Sequence, residues 1–279
     1  MTQAATAAEP RTLAPPGRRL ARVTANDALG AYRLISAHDR EGPLEPRPGQ
    51  FYMLAAAERW GGGADERPYL PRAFSYARAR RADRGALLEF LLEAVGPGTE
   101  RLGSLDPGDE LALVGPLGVG FRQPEVGTRP LLVGGGIGTA PLVCLADELG
   151  APRVLLGFRS GAHAEAARLF ERPSLATDDG SVGRRALVTE LLAETLQDED
   201  LPAEGLATTV YACGPPPMLE AVRTICAERG VPAQLALESG MACGFGACFG
   251  CVVATRDGYV RLCLDGPVLE ADRLQAVPE

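Results

Sequence analysis

From residue 20 to about residue 122, short apolar runs alternate with turn residues, which is the pattern of an all-β domain. The turns are marked by Pro48-Gly49, Pro107-Gly108 and Gly115-Pro116. The apolar segment 86–95 fits a helix or a strand by periodicity alone, but the glycines that bound it favour a strand. The pattern predicts an antiparallel barrel or sandwich.

The pattern changes at Pro130, where short apolar strands begin to alternate with helical periodicity. Strands are predicted at 131–133, 154–156 and 209–212, and helices at 142–149, 187–196 and from about 218 to 229. Strands that alternate with helices predict a parallel sheet with helices on both faces. A cysteine-rich stretch then closes the chain as a third, small module.

Composition narrows the class of protein. With 279 residues the chain has room for two domains or three small ones, and a net charge of -8 argues against a nucleic-acid partner. It contains no apolar run of about 18 residues, so no transmembrane helix and no membrane partner are expected. The first eighteen residues are rich in Ala, Pro and Thr and lack a continuous apolar core, which predicts a mobile tail rather than a signal peptide.

The most specific motif is a group of four cysteines near the C-terminus. Their spacing is C-x4-C-x2-C-x11-C, and they are Cys243, Cys248, Cys251 and Cys263. The first three match the run that holds a plant-type [2Fe–2S] cluster, and the later cysteine completes the ligand set. The intervening Gly244, Gly246 and Gly250 allow the left-handed backbone that wrapping a cluster demands. The alternative is a structural zinc site, although zinc usually takes pairs of cysteines from two separate knuckles.

The other three cysteines, Cys144, Cys213 and Cys226, are scattered along the chain and do not form a disulfide framework. This usage fits a reducing cytoplasm.

Two loops and one strand have compositions suited to nucleotides. Gly134–Pro141 connects a strand to a helix, where backbone N–H groups and the helix dipole favour a phosphate; it also fits a plain packing turn. Arg72-Ala-Phe-Ser75 offers a guanidinium for phosphate and a hydroxyl for a flavin ring, or is an ordinary strand. Gly96–Thr99 is a second possible anion cradle, or a capped turn.

Further loops follow the strands of the predicted parallel sheet. Cys213-Gly-Pro-Pro-Pro-Met218 lies where open α/β sheets bind ligands. Thr177–Ser181 is a turn whose carboxylates suit ribose hydroxyls, or is a plain solvated turn. Arg159 follows the second strand, where a 2′-phosphate is read in some sheets, but one arginine does not decide between NAD and NADP. The two histidines, His38 and His163, have no partner motif and are expected at the surface.

In this order, the motifs resemble those of the ferredoxin–NADP reductase superfamily, and within it the electron-transfer subunits of bacterial dihydroorotate dehydrogenase. The resemblance covers about residues 20–274 and is most specific in 241–253, 260–268 and the turn at 177–183. It implies a β plus α/β fold with an N-terminal six-stranded antiparallel FAD-binding barrel, a central parallel-sheet nucleotide-binding domain and a small C-terminal [2Fe–2S] module. The implied bounds are 1–19 for the tail, 20–125 for the FAD domain, 126–233 for the NAD domain and 234–279 for the cluster module.

The resemblance also assigns cofactor residues. It implies that FAD is bound by Arg72, Ala73, Phe74, Ser75, Gly96, Gly98 and Thr99. It implies that NAD is bound by Gly134, Gly135, Gly136, Gly138, Thr139, Cys213, Gly214 and Pro215. The four cysteines of the C-terminal motif would bind the [2Fe–2S] cluster, and no residue is assigned acid or base catalysis. Two departures from the family pattern are the long tail and the Gly-rich stretch 55–66.

The resemblance implies a cytoplasmic oxidoreductase subunit. Its partner would be an FMN-containing dihydroorotate dehydrogenase catalytic subunit, with two copies of each, and electrons would pass through the cluster and FAD to NAD+. Two alternatives remain: a related NAD(P)H-dependent reductase subunit serving ferredoxin, sulfur compounds or an oxygenase, and a non-enzymatic metal-stabilised module.

Overall fold

The computed structural model of the protein describes residues 17–58, 60, 70–198 and 207–278. Of the tail predicted at 1–19, residues 1–16 lie outside the described residues. Of the stretch 55–66, residue 59 and residues 61–66 lie outside them. The described chain forms two large sheets and a two-stranded hairpin.

The N-terminal part forms one antiparallel sheet. Its elements are β1 (Arg19–Leu29), β2 (Tyr32–Asp39), β3 (Phe51–Ala56), β4 (Arg72–Ser75), β5 (Arg78–Arg81), β6 (Ala86–Leu92), α1 (Pro97–Gly103) and β7 (Glu110–Leu117). The strand order is β4-β3-β7-β1-β2-β6-β5. β6 confirms that the segment 86–95 begins as a strand.

This sheet curls on itself, because β4 and β5 lie at its opposite edges although only Tyr76 and Ala77 separate them. At this bend the N–H group of Ala77 donates to the carbonyl of Glu89 at 2.7 Å. The sheet has seven strands where six were predicted, because the chain from Arg72 to Arg81 divides into two strands at the bend.

The interior of the first sheet is mostly apolar but contains a buried ion pair. β1 alternates buried and exposed positions from Arg19 to Thr24, as expected for a strand with one face on the core. Arg19 and Asp39 point into this interior, with Nη2 and Oδ2 2.7 Å apart, and Arg19 also donates to the carbonyl of Gly115 at 2.6 Å. The pairing offsets part of the cost of burying two charges.

The remaining chain builds a second sheet and the C-terminal module. Its strands are β8 (Thr128–Gly135), β9 (Arg153–Phe158), β10 (Ser174–Thr177), β11 (Arg184–Arg185), β12 (Ala207–Cys213), β13 (Ala233–Ala236), β14 (Val252–Thr255), β15 (Gly258–Arg261) and β16 (Val268–Glu270). Its helices are α2 (Ala140–Leu149), α3 (Gly161–Ala164), α4 (Val188–Asp198), α5 (Pro216–Arg229) and α6 (Leu262–Asp265).

The second sheet has the order β11-β10-β9-β8-β12-β13-β16. All its pairs are parallel except β13 with β16, which is antiparallel. The C-terminal module thus contributes the edge strand β16, and β14 and β15 form a separate hairpin. The strand and helix predictions for this half are confirmed, with each strand longer than its apolar run.

Both faces of the second sheet are buried, which explains its continuous apolar runs. Leu131 and Val133 face the core that holds α4, α5 and the C-terminal module, whereas Leu132 faces the core that holds α2. The first of these cores also includes Met53 of β3 and Leu262 of α6, so it joins all three parts of the chain.

Among the described residues, no helix combines the length and apolar character needed to cross a bilayer.

Candidate functional site

Three parts of the chain meet around a cleft of about 210 Å³. Ala73, Phe74 and Ser75 of β4 form one wall. Ile137, from the glycine-rich loop after β8, and Met241, from the segment before the first motif cysteine, lie on other walls. We call this the first cleft. It places the flavin-type strand beside both the nucleotide-type loop and the cysteine segment.

Arg72 lies at the far end of β4, against the loop that opens α1. A Cβ atom built at Gly98 would lie 2.9 Å from Cζ of Arg72, so glycine is what lets the guanidinium approach this loop. The Thr99 hydroxyl accepts hydrogen bonds from the N–H groups of Val95 (2.9 Å) and Gly96 (3.1 Å), which fixes the loop. The structure thus brings the predicted residues together, and a guanidinium at a glycine loop suits a phosphate group.

A second cleft, of about 610 Å³, opens at the carboxyl ends of the parallel strands. Gly135, Gly136 and Gly138 line it from the loop after β8, and Gly214 and Pro215 line it from the loop after β12. A Cβ atom on Gly138 would lie 2.5 Å from the backbone nitrogen of Gly214, so the two loops touch only because glycine is present. This is the edge where open α/β sheets bind dinucleotides.

Three other predicted residues lie behind this cleft. Gly134 packs against Thr139, whose side chain is fully buried and whose Oγ1 has no hydrogen-bond partner among the described residues. Cys213 is also buried, and that burial holds the pKa of its thiol well above the ordinary value. Cys213 is therefore a neutral packing residue beside the cleft, and Gly214 and Pro215 form the wall.

Ile137 and Glu238 line both clefts, so groups bound in the two clefts are neighbours. Burial raises the pKa of the Glu238 carboxyl. The next residue, Ser239, lines the first cleft, and its buried hydroxyl has no partner among the described residues. No sequence pattern marks either residue, because a Glu-Ser pair after a short strand matches no motif.

The cysteine motif forms one compact loop with α6. Sγ of Cys251 lies 3.2 Å from Sγ of Cys263, and the N–H group of Cys263 points at Sγ of Cys251 from 3.5 Å. The N–H group of Gly250 points at Sγ of Cys248, also from 3.5 Å. Backbone N–H groups aimed at sulfur stabilise thiolate ligands and tune the potential of an iron–sulfur cluster.

Cys243 has an environment that favours its thiolate. Burial raises the pKa of this thiol, but hydrogen bonds from the N–H groups of Cys248 and Phe245 and from neighbouring groups outweigh that effect. The resulting pKa is about 6. The thiolate is the form of cysteine that binds metals.

The loop backbone wraps as the sequence predicts, with one exception. Gly244 and Gly246 have φ of 78° and 84°, in the left-handed region. The prediction for Gly250 is wrong, since its φ is not positive, and Phe249 takes the left-handed conformation instead, with φ of 60°. A bulky residue in that region stores strain of about 1–3 kcal/mol, which the loop contacts must offset.

The cysteine loop lies on the first sheet. A Cβ atom on Gly244 would be 2.5 Å from Cγ of Met53, so the loop backbone approaches β3 directly. Its outer side faces the exterior: Cys248 is exposed, and Phe245 and Phe249 are each 62% exposed. One side of the loop therefore packs against β3 and the other is accessible to a partner.

Residues outside the predicted set also line the second cleft. Oε1 of Glu93 lies 3.4 Å from Nη2 of Arg159 and 3.3 Å from Nε2 of His163. The prediction that His163 lies at the surface is wrong, because its side chain is only 14% exposed and packs edge-on against Tyr32. Sequence reasoning missed Glu93 because it follows β6 of the first sheet, far along the chain from the loops of the second.

The turn predicted at 177–181 is present. Oδ1 of Asp179 accepts hydrogen bonds from the hydroxyl (2.5 Å) and N–H group (2.9 Å) of Ser181, and these bonds lower the pKa of Asp179. Asp178 lines the second cleft, so its carboxylate is the one that can face a ligand there.

The residues fit the implied cofactors. The unpartnered hydroxyl of Ser239 and the approach of Arg72 to Gly98 suit a polar ring and a phosphate in the first cleft. The four motif cysteines are the sulfur ligands that an iron–sulfur cluster needs. Among the described residues, no three His, Cys, Asp or Glu side chains converge closely enough to bind a single metal ion.

Comparison with known proteins agrees with this geometry. Residues 238–275 match the family model of the iron-sulfur cluster binding domain of dihydroorotate dehydrogenase B. The chain is 35% identical over 237 residues to the dihydroorotate dehydrogenase B (NAD(+)) electron transfer subunit of Caldanaerobacter subterraneus subsp. tengcongensis, covering 82% of this chain and 87% of that protein. It is 39% identical over 238 residues to the subunit of the same name from Geobacillus thermodenitrificans, covering 80% and 85%.

Solved structures share the two-sheet architecture. An NADH-dependent reduced ferredoxin-NADP oxidoreductase superposes with a TM-score of 0.76 at 25% identity, covering 94% of this chain and 92% of that one. The ferredoxin reductase in carbazole 1,9a-dioxygenase superposes with a TM-score of 0.62 at 24% identity, covering 77% and 66%. The fold is therefore of the ferredoxin–NADP reductase type. Given identities of 35% and 39% over most of both chains, the protein belongs to the family of dihydroorotate dehydrogenase B (NAD(+)) electron transfer subunits.

Proposed function

We propose that this chain carries electrons from a partner catalytic subunit to NAD+, as the electron transfer subunit of an NAD-dependent dihydroorotate dehydrogenase. The observation that carries the proposal is the first cleft. Its walls join Ser75 of the flavin-type strand, Ile137 of the nucleotide-type loop and Met241 beside the cysteine motif. Electron carriers held by these three parts are neighbours, as transfer between them requires.

Each part would hold one cofactor or substrate. FAD is assigned to Arg72, Ala73, Phe74, Ser75, Gly96, Gly98 and Thr99, and the [2Fe–2S] cluster to Cys243, Cys248, Cys251 and Cys263. NAD is assigned to Gly134, Gly135, Gly136, Gly138, Thr139, Cys213, Gly214 and Pro215. The corresponding domain bounds are 20–125, 126–233 and 234–279, after a tail at 1–19.

The division of labour follows from the chemistry. A bound flavin exchanges both the single electrons that an iron–sulfur cluster passes and the hydride that NAD+ takes. The protein positions the groups: Arg72 and the α1 loop hold phosphate, Ser75 and Ser239 offer hydroxyls to the ring, and the N–H groups of the cysteine loop favour thiolates. Glu238 and Ile137 line both clefts and thus border both bound rings.

The partner we propose contains FMN and oxidises dihydroorotate to orotate, with two copies of each subunit in the assembly. The family membership supports a partner, since its members are named as subunits. The exposed Cys248, flanked by Phe245 and Phe249, supports the cysteine loop as the side where electrons enter. We place the assembly in the cytoplasm, because the cysteines outside the motif form no disulfide.

The test is electron transfer in the reconstituted assembly. Alone, the chain should oxidise NADH with an artificial acceptor and should not oxidise dihydroorotate. With the FMN subunit, dihydroorotate should reduce NAD+. A Cys248→Ser variant should lose that coupling while it keeps most NADH-to-dye activity, because the dye takes electrons from the flavin. Cys226→Ala, a small change at a buried cysteine outside the motif, is the matched control and should keep both activities.

Two results would contradict the proposal. The first is that dihydroorotate does not reduce NAD+ with any FMN subunit while an oxygenase or a sulfur-reducing subunit co-purifies with the chain. That result would favour the hypothesis of a related reductase subunit. Stoichiometric zinc without iron in protein purified without oxygen would remove the cluster from the scheme.

A further inference from the structure

The second cleft extends to the residue that follows β9, which is Arg159. In parallel nucleotide-binding sheets, the residues after the second strand read the ribose of the adenosine half. A carboxylate there binds the 2′-hydroxyl of NAD, and an arginine accommodates the 2′-phosphate of NADP. This chain carries the NADP-type residue, although its relatives are named for NAD(+).

Arg159 is engaged by a carboxylate from the other sheet. Glu93 follows β6, and its Oε1 lies 3.4 Å from Nη2 of Arg159. The same oxygen lies 3.3 Å from Nε2 of His163, and Nδ1 of His163 lies 2.9 Å from Oγ of Ser160. The ring of Tyr32 packs edge-on against the imidazole, with the two ring centroids 5.6 Å apart.

These contacts fix the carboxylate more firmly than the guanidinium. The side chain of Glu93 is 24% exposed, whereas that of Arg159 is 69% exposed. Among the described residues that line this cleft, Arg159 is the one Lys or Arg, while Glu93, Asp178 and Glu238 carry carboxyl groups. A phosphate entering here meets a cation that is already paired and carboxylates that repel it.

We propose that Glu93 is a positioning residue for dinucleotide specificity: by pairing with Arg159, it keeps the cleft selective for the dinucleotide that lacks a 2′-phosphate. The inference rests on the proposed function, in which the second cleft binds NAD. It adds a determinant that follows β6 of the first sheet to a site built mainly by the loops of the second. The contact also explains how an arginine is tolerated at the ribose-reading position.

The test is equilibrium binding of NAD+ and NADP+ to the FAD- and cluster-loaded protein, measured by calorimetry. In the Glu93→Gln variant, the Kd of NADP+ relative to that of NAD+ should fall about tenfold, since the released guanidinium gains a charge-assisted contact with phosphate. The kcat/KM for dye reduction should shift towards NADPH in the same ratio. A role limited to holding the sheets together would change thermal stability but not this ratio.

Two further variants test whether the effect acts through Arg159 rather than through the mere loss of one negative charge. The double variant Glu93→Gln/Arg159→Ala should lose the gain, because the gain acts through the guanidinium. Glu165→Gln removes a carboxylate that pairs with Arg168 outside the cleft, and it should leave the ratio unchanged.

An unchanged ratio in Glu93→Gln with intact NAD+ binding would overturn the role of Glu93 and leave the proposed function standing. A gain that persists in the double variant would also overturn it. Wild-type protein that binds neither dinucleotide would instead overturn the assignment of the cleft, and the inference with it.

Discussion

Nη1 of Arg261 donates a hydrogen bond to the carbonyl oxygen of Gly246 at 3.0 Å. The guanidinium also lies over the ring of Phe249, 5.2 Å from its centroid. Arg261 ends β15, two residues before Cys263, and Gly246 lies between the first two motif cysteines. One side chain therefore ties the cysteine loop to the segment that carries the fourth ligand.

We expect Arg261→Gln to weaken the cluster site. The variant loses a charged hydrogen bond of about 1.5–3 kcal/mol and a cation–π contact, so iron should be lost faster in the presence of a chelator. Removal of a positive charge near a cluster disfavours its reduced form, so the reduction potential should fall. Absorbance decay and an EPR-monitored redox titration measure the two effects.

The matched control is Arg256→Gln. Arg256 lies in the same module but donates to the carbonyl of Leu274 rather than to the cysteine loop. Equal rates of iron loss and equal potentials in the Arg261 variant and the wild type would show that Arg261 does not support the cluster.

The second prediction concerns flavin affinity. Arg72→Ala removes the guanidinium beside the α1 loop, and a charge-assisted phosphate contact contributes about 1.5–3 kcal/mol. The Kd of FAD should therefore rise about ten- to a hundredfold, measured by fluorescence of the free flavin. Arg81→Ala, at an exposed position of β5, is the control and should bind FAD as the wild type does. Wild-type affinity in the Arg72 variant would mean that Arg72 is wrongly assigned.

The third prediction concerns the contact between the two loops of the second cleft. In Gly138→Ala, the new Cβ would lie 2.5 Å from the nitrogen and 2.6 Å from Cα of Gly214. Both atoms are backbone, so the loops must separate, and we expect NAD+ affinity to fall by at least about tenfold while FAD is retained. Calorimetry and the flavin spectrum measure these quantities. Gly240→Ala is the control, because no atom lies within 4 Å of the added Cβ. Unaltered NAD+ binding in Gly138→Ala would place the dinucleotide elsewhere.

The predictions that the structure confirms were based on local sequence patterns. The apolar run Leu131–Val133 correctly predicts a strand. The run is continuously apolar because both faces of the second sheet are buried and its residues alternate between two cores. The cysteine spacing also points to its chemistry without tertiary information, because three of the four ligands lie within nine consecutive residues, 243–251. In both cases the determining contacts lie close together in sequence.

The features that sequence reasoning missed depend on contacts between residues that are far apart in the chain. Glu93 meets His163 across 70 positions, so no local pattern marks either residue. The extra strand of the first sheet arises at Tyr76-Ala77, where the chain crosses from one sheet edge to the other. That crossing depends on partners from β3 and β6. Gly250 was expected to be left-handed by its residue type, but Phe249 takes that conformation.

The last prediction concerns Glu238 and pH. Glu238 keeps an exposed face, but the groups that crowd its carboxyl between the two clefts desolvate it and raise its pKa above the ordinary value of 4.5 in the folded protein. The folded state then holds the proton more tightly than the unfolded state, so the wild type is most stable below the unfolded pKa. It loses stability as the pH rises from there through the folded pKa. Gln cannot ionise, so Glu238→Gln avoids this loss. Its melting temperature relative to the wild type should therefore increase between pH 5 and pH 8, at matched flavin content. Glu228→Gln, on α5 and outside both clefts, should show no such trend. If the melting temperature of Glu238→Gln relative to the wild type stays constant or falls over this range, the folded state does not disfavour the ionised form of Glu238.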